Sequence, residues 1–372
     1  MVVVGFLLAV TLAAQTPLRT GEVIDSVEVP NQPGQTYALY IPSGYAPDRA
    51  WPILYCLDPG ARGRIPVERF AAAAEKAGVL VAGSNNSHNG PLRPSQDAIR
   101  LMFVDTRERF NIDDARIYAA GFSGGARLAL GWALAGHLAG VIASSAGFLN
   151  SAVPKQVPFR IFFTTGHDDF NHDEIYSLSR ALAGRRIPHR YVEFEGGHEW
   201  PPESLTAEAL AYLAGAIPPR AAEPSKQAGR DAGSFQRRVR EIESAGDAAR
   251  TELVRRLQKD VSGAADSPQR RVARRVVGSL SIGSAEQASE AMSQRQYSDA
   301  ARYASVAVLV RPENGNAWLT LAVARAALGD TKRSLEALEQ ALAHGFRARD
   351  LIESEPLLEK VRREKKYAEL MK

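Results

Sequence analysis

Apolar and polar residues alternate over residues 22–29 and again over 36–41, with the turn Asn31-Gln32-Pro33-Gly34 between them. That pattern predicts a β-hairpin. The pattern then changes. Residues 52–57, 79–82, 116–120, 141–144 and 159–164 form short, almost wholly apolar runs, as expected for strands buried on both faces, and 190–194 reads as the last strand. Between and after them, helical patterns predict helices over 67–77, 94–110, 127–135, 173–185 and 205–216. Ser95 followed by Asp97 reads as the cap of the second of these. Strands alternating with helices at this spacing give an α/β fold, a mainly parallel sheet covered on both faces, with the hairpin as its antiparallel edge.

Residues 217–234 break the alternation with Pro218, Pro219, Pro224, Gly229 and Gly233, and read as a linker. From 235 to 372 no strand pattern recurs, and the chain is rich in Ala, Leu, Arg and Glu at helical spacing. At a period of 34 residues, Ala300, Ala304, Ala307 and Pro312 align with Ser334, Leu338, Ala341 and Phe346, while Trp318, Leu321 and Ala322 open the second unit. This resembles tetratricopeptide repeats, helix pairs that place small residues where neighbouring helices touch. The resemblance implies an all-α C-terminal domain with units at about 281–314 and 315–348. Residues 235–280 are expected to supply packing helices, and 351–370 a closing amphipathic segment.

Composition changes this picture little. A chain of 372 residues suggests two domains, or one large one with an appendage, and 45% hydrophobic content is ample for a packed core. The formal charge of +4 divides into about −2 over residues 1–220 and about +6 over 221–372, with no run of five like charges. A solvated helical surface accounts for that excess better than a nucleic-acid site does. The single cysteine, Cys56, excludes an intrachain disulfide and gives no zinc pattern. Residues 1–14 form an apolar run ending in small residues, too short to span a membrane comfortably, and read as a signal peptide. A secreted or periplasmic protein with no membrane span after signal removal is the expectation.

Chemistry in such sheets gathers at the carboxyl ends of the strands. Here that rim comprises loops 58–63, 84–90, 121–125 and 165–172, joined by the loop around His198. Gly121-Phe122-Ser123-Gly124-Gly125 stands between a predicted strand and a predicted helix, the context in which Gly-x-Ser-x-Gly marks a nucleophile. A serine needs a base, and the base an acid to fix its tautomer. Of seven histidines, His88, His167, His172 and His198 fall on rim loops, whereas His137, His189 and His344 fall away from them. His198 follows the last strand behind Gly196-Gly197, which lets its loop turn sharply over the serine. Two aspartates compete for the acid position after Gly166. Asp169 is favoured, with Asp168 as the alternative. The chain order Ser, Asp, His is that of the α/β-hydrolases.

Asn111-Ile112-Asp113 leading into Arg116-Ile117-Tyr118 and the serine motif, with Gly166-x-x-Asp169 and Gly196-Gly197-His198-x-Trp200-Pro201, carries a resemblance over residues 22–216. The region resembles serine esterases of the polyhydroxybutyrate-depolymerase and feruloyl-esterase type. That resemblance implies Ser123 as nucleophile, His198 as base and Asp169 as orienting acid, with no metal or organic cofactor. It also implies an oxyanion hole from the Gly124 N–H and one donor of the loop after the third strand. Such enzymes usually carry His-Gly there, and this chain has Asp58-Pro59-Gly60-Ala61. Proline has no N–H, so Ala61 is the first candidate and Gly60 the second. Asp58 must point away, toward Arg62 or Arg64, or its charge would oppose an oxyanion. Asn85, Asn86 and His88 are candidates to touch substrate.

The stretch 146–157, where many such enzymes insert a lid, is short and predicts an open cleft. The expected activity is a carboxylesterase on an accessible small-molecule or polymer-derived ester. The alternatives are a disabled hydrolase scaffold whose repeats bind a protein or peptide, and a serine peptidase.

Overall fold

The computed structural model describes residues 18–136, 138–149, 153–264 and 267–371. The segment read as a signal peptide, and His137, lie outside the described residues.

The alternating stretches form β1 (Val23–Glu28) and β2 (Thr36–Tyr40), an antiparallel hairpin. The apolar runs form β3 (Trp51–Leu57), β4 (Leu80–Ser84), β5 (Ile112–Phe122), β6 (Gly140–Ser144), β7 (Arg160–Gly166) and β8 (Arg190–Phe194). The helices between and after them are α1 (Arg64–Ala77), α2 (Leu92–Arg109), α3 (Gly124–Leu134), α4 (His172–Gly184) and α5 (Glu203–Leu213). The eight strands lie in the order β1-β2-β4-β3-β5-β6-β7-β8, parallel from β4 onward.

Every residue of β3 is buried. Successive strand side chains point to opposite faces, so Ile53, Tyr55 and Leu57 join one core and Leu54 and Cys56 the other. The first core includes Ile99 and Met102 of α2, Leu130 of α3 and Leu182 of α4. The second includes Phe70 of α1 and Leu210 of α5. Helices therefore cover both faces, as the sequence predicts. From β3 the chain first steps outward to β4 and then crosses back to β5 on the other side. That reversal opens a crevice at the carboxyl ends of β3 and β5, where such sheets bind ligands.

Several boundaries shift by a few residues, and two of the shifts change what a residue does. Helix α2 starts at Leu92, because Pro94 is tolerated in a first helical turn. Ser95 therefore caps nothing: its hydroxyl donates to the His88 carbonyl and accepts the His88 N–H. The linker is also shorter than predicted. Helix α6 (Lys226–Ser244) starts behind Ser225, whose side chain accepts the Ala228 N–H, and runs through Gly229 and Gly233.

The remaining chain forms α7 (Asp247–Val261), α8 (Pro268–Ser293), α9 (Tyr297–Val310), α10 (Gly315–Ala327) and α11 (Thr331–Ala343). The short helices α12 (Arg349–Ser354), α13 (Glu359–Arg362) and α14 (Lys365–Leu370) close it. Helices α9 and α11 begin at residues 297 and 331, 34 positions apart. The aligned Ala300, Ala304, Ala307, Ser334, Leu338 and Ala341 are all buried. Ile242, Val254 and Val276 of α6, α7 and α8 pack with Val306 and Val310 of α9, so residues before 281 do supply packing helices. At 26 residues, α8 spans about 39 Å. It is long enough to belong to the helical region and still reach the rim of the sheet.

Candidate active site

Strand β5 ends at Phe122, and Ser123 turns the chain into α3 with φ 53° and ψ −123°. A non-glycine residue in that left-handed region is strained, which is the signature of a nucleophile elbow. The neighbouring glycines make the turn possible. A Cβ on Gly121 would stand 2.2 Å from the Gly125 carbonyl oxygen, and one on Gly125 would stand 2.0 Å from the Leu57 carbonyl oxygen. Helix, elbow and β3 therefore meet backbone to backbone. The Ser123 N–H is anchored on the Ser144 carbonyl of β6 at 2.9 Å.

His198 reaches this serine from the loop after β8. Its Nε2 accepts from Ser123 Oγ at 2.9 Å, and its Nδ1 donates to Asp169 Oδ1 at 2.9 Å. Asp169 is fully buried after β7, and its Oδ1 also accepts the Asn171 N–H at 2.8 Å. The imidazole lies between Phe122 and Phe170, with ring centroids 4.7 and 4.1 Å away. Two aromatic faces and one carboxylate fix its plane and tautomer. The structure thus brings Ser123, His198 and Asp169 together in a line. Asp168, the alternative acid, instead pairs with Arg274 of α8 at 2.6 Å.

The other rim histidines do different work. His167 and His172 both hold Glu193 through Nε2, at 3.1 and 2.9 Å. Burial works against charge on Glu193, yet the hydrogen bonds from His167 and His172 hold its carboxyl below the usual range. His189 is buried and bonds Ser179 Oγ at 2.6 Å, and burial lowers its pKa. His88 lines the cleft beside Ser123. Asn85 and Asn86 do not: their side chains bond the β1–β2 hairpin, at Asp25 and Thr36 for Asn85 and at Gly34 and Thr36 for Asn86. Asn89, which no sequence pattern singled out, takes that place. Its Oδ1 would stand 1.8 Å from a Cβ on Gly124, so the amide lies directly against the elbow.

Of the two expected oxyanion donors, only Gly124 lines the cleft. Its N–H belongs to the first turn of α3 and has no intrahelical acceptor. Ala61 is turned back on itself: at φ 57° its N–H meets the Asp58 carbonyl at 3.3 Å. The Gly60 N–H is held by Asp58 Oδ1 at 2.8 Å in an Asx-type turn. The Asp58 side chain thus engages Gly60, while its backbone carbonyl engages Ala61. Asp58 does point away from the serine, and it bonds Arg62 at 2.8 and 3.1 Å and Trp200 Nε1 at 2.8 Å. Arg64 pairs with Asp25 and Glu68 instead.

The cleft at Ser123 has a volume of about 450 Å³. Helix α8 of the helical region contributes to the lining of this cleft, which the sequence did not anticipate. Ser279, Ile282, Gly283 and Glu286 of α8 face Ser123 across it. Asn89 Nδ2 reaches Glu286 Oε1 at 3.4 Å, and Gly278 packs on the Phe170 ring. Residue patterning along residues 146–157 carries no trace of a wall supplied more than a hundred positions later.

An eight-stranded sheet in this order, with a serine on a strand–elbow–helix turn and Ser, Asp and His in that chain order, is the α/β-hydrolase fold. The C-terminal region is all-α. No family model and no curated protein matches the chain. Solved structures similar to part of it include FphF, a substrate-bound fluorophosphonate-binding serine hydrolase from Staphylococcus aureus. That match has 14% identity over 52% of this chain and 99% of that one, at a TM-score of 0.42. S-formylglutathione hydrolase (FrmB) from Staphylococcus aureus matches at 15% identity over 53% of this chain and 98% of its own, TM-score 0.43. A ferulic acid esterase matches at 15% identity over 53% and 98%, TM-score 0.42.

Proposed function

We propose that the protein is a serine hydrolase that cleaves carboxylic esters through an acyl-enzyme. The observation that carries this reading is the unbroken hydrogen-bond chain from Ser123 through His198 to buried Asp169. Ser123 Oγ attacks the ester carbonyl as its proton passes to His198 Nε2. Asp169 stabilises the imidazolium so formed and keeps Nδ1 as the donor. The tetrahedral oxyanion draws on the Gly124 N–H at the start of α3. Collapse expels the alcohol, which takes the proton from His198. Water then repeats the sequence on the acyl-serine and releases the acid.

Ser123→Ala tests the assignment. It should abolish fluorophosphonate labelling and lower ester hydrolysis by about 10³-fold or more. Labelling that persists in the variant would sink the reading.

A further inference from the structure

The cleft at Ser123 has a neighbour. Leu92, Arg127, Leu128 and Leu149 line it, and the same four residues line a second groove of about 510 Å³ between α2 and α3. Ile99 and Phe103 of α2 and Trp132 of α3 form the groove's walls. Among the described residues its lining holds no carboxylate, and its polar members are Gln96, Arg100 and Arg127. The guanidinium of Arg127, which lines both spaces, is engaged by both oxygens of Glu174 at 2.8 Å.

Leu92 and Leu149, which also line both spaces, are 46% and 47% exposed. Single exposed leucines need no explanation, but two flanking the mouth of an apolar groove beside a nucleophile form a patch with a use. Ligand sites are mostly apolar concavities with a few convergent polar groups. The two spaces together have that character, with polar chemistry at Ser123 and apolar walls beyond Leu128.

We infer that this groove is a subsite for an apolar arm of the ester substrate, an alkyl chain or aromatic ring. The inference rests on the serine-hydrolase reading for its reaction and on the groove alone for its ligand. The arm enters past Leu92 and Leu149 and lies along Phe103 and Trp132 while the ester carbonyl sits at Ser123. The arm belongs to the acyl or the alcohol half of the ester, and the experiment separates the two.

Gly131 of α3 is the place to test it. It lines the groove, and a Cβ there would meet only Leu149 Cδ1, at 3.9 Å. Leucine at this helical position suits the backbone and fills the groove. Hydrolysis of p-nitrophenyl acetate and octanoate reads the acyl arm, and ethyl and octyl acetate read the alcohol arm. In one of the two series the wild type should favour the long chain. Gly131→Leu should then lower the long-to-short ratio of kcat/KM at least about tenfold. Leu149→Asn, at an exposed position, should lower the same ratio if Gly131→Leu fails to fold. No chain-length preference in either series, or a preference that survives both substitutions, would overturn the subsite.

A binding readout keeps this separate from the chemistry. In Ser123→Ala, either methyl 12-bromododecanoate (acyl arm) or 12-bromododecyl acetate (alcohol arm) should quench tryptophan emission saturably, and the quenching should vanish on adding Trp132→Phe or Gly131→Leu. Quenching that is absent, or unchanged by those substitutions, overturns the subsite whether or not the wild type hydrolyses esters. If labelling and ester hydrolysis are both absent while the quenching behaves as expected, the hydrolase reading fails and the groove stands.

Discussion

Arg275 of α8 donates from Nη1 to Asp173 Oδ1 at 3.0 Å and from Nε to the His167 carbonyl at 2.9 Å. It thereby ties down both ends of the loop that carries Asp169 and Phe170. Arg275 is only 3% exposed, so its charge is matched inside the protein or not at all. Removing one partner of a buried pair leaves the other uncompensated, at a cost of about 3–5 kcal/mol. Arg275→Ala should therefore lower unfolding free energy by about 3 kcal/mol in denaturant titrations and reduce kcat for every ester alike. Arg274→Ala should change stability by less than about 1 kcal/mol, because its pair with Asp168 is partly exposed. Equal effects from the two variants would show that α8 does not brace the acid loop through Arg275.

The glycines of the elbow separate fold from function. Gly125→Ala drives a methyl into the Leu57 carbonyl, a backbone atom that cannot retreat without parting α3 from β3. It should fail to accumulate as folded protein, or melt far below the wild type. Gly124→Ala meets Asn89 Oδ1, the end of a side chain that can swing away. That variant should fold with near-native melting and lose activity, since the displaced amide enters the cleft. Circular dichroism melts and ester kinetics on the two variants check both outcomes. A well-folded Gly125→Ala would contradict the close approach of α3 to β3.

The line Ser123, Asp169, His198 was legible in the sequence because each residue stands at a strand end beside glycines, and local patterning records strand ends well. The sheet was legible for the same reason, down to the antiparallel hairpin at its edge. In the linker, Gly229 and Gly233 look like punctuation, but Ser225 caps a helix that absorbs both. What no local pattern could show is the wall at Ile282 and Glu286, which exists only because α8 docks against loop 167–173. Asn89 was missed similarly. Asn85 and Asn86 looked equally suitable, and only the pairing of that loop with β1 and β2 decides which amide faces the elbow. That the Ala61 N–H turns back to the Asp58 carbonyl is likewise a property of the folded loop, with no mark in its composition.

Stability should depend on pH through His167. Its hydrogen bond to Glu193, with a second to Glu195, raises its pKa above the ordinary 6.5, while partial burial opposes the shift. A raised pKa means that the fold favours the protonated ring. The contribution is fully present below about pH 6.5 and is lost as pH rises through the folded value. Glu193 stays charged throughout that window, because its own pKa is held below the usual range. Thermal melts between pH 5.5 and 8.5 should show the wild type losing more stability on the alkaline side than His167→Asn does. Parallel curves would remove His167 as the source.

Asp58 and Trp200 link the two loops that flank the serine. Asp58 is 1% exposed, and its two oxygens accept from Trp200 Nε1, the Gly60 N–H and Arg62. An amide in its place has only one acceptor oxygen. In Asp58→Asn the NH₂ group must face either the buried indole N–H or the partly buried Gly60 N–H, and one of these donors goes unpaired. The expected cost is about 1–3 kcal/mol in urea or guanidinium titrations. Trp200 lies 5.8 Å from Phe122 between ring centroids, and Phe122 lies against His198. Loosening the indole should therefore lower kcat as well, with less effect on KM. Trp200→Phe removes the competing donor and keeps an aromatic ring. The double variant Asp58→Asn/Trp200→Phe should consequently be less destabilised than the sum of the single variants. Strict additivity would mean that the Asp58–Trp200 hydrogen bond does not couple the two loops.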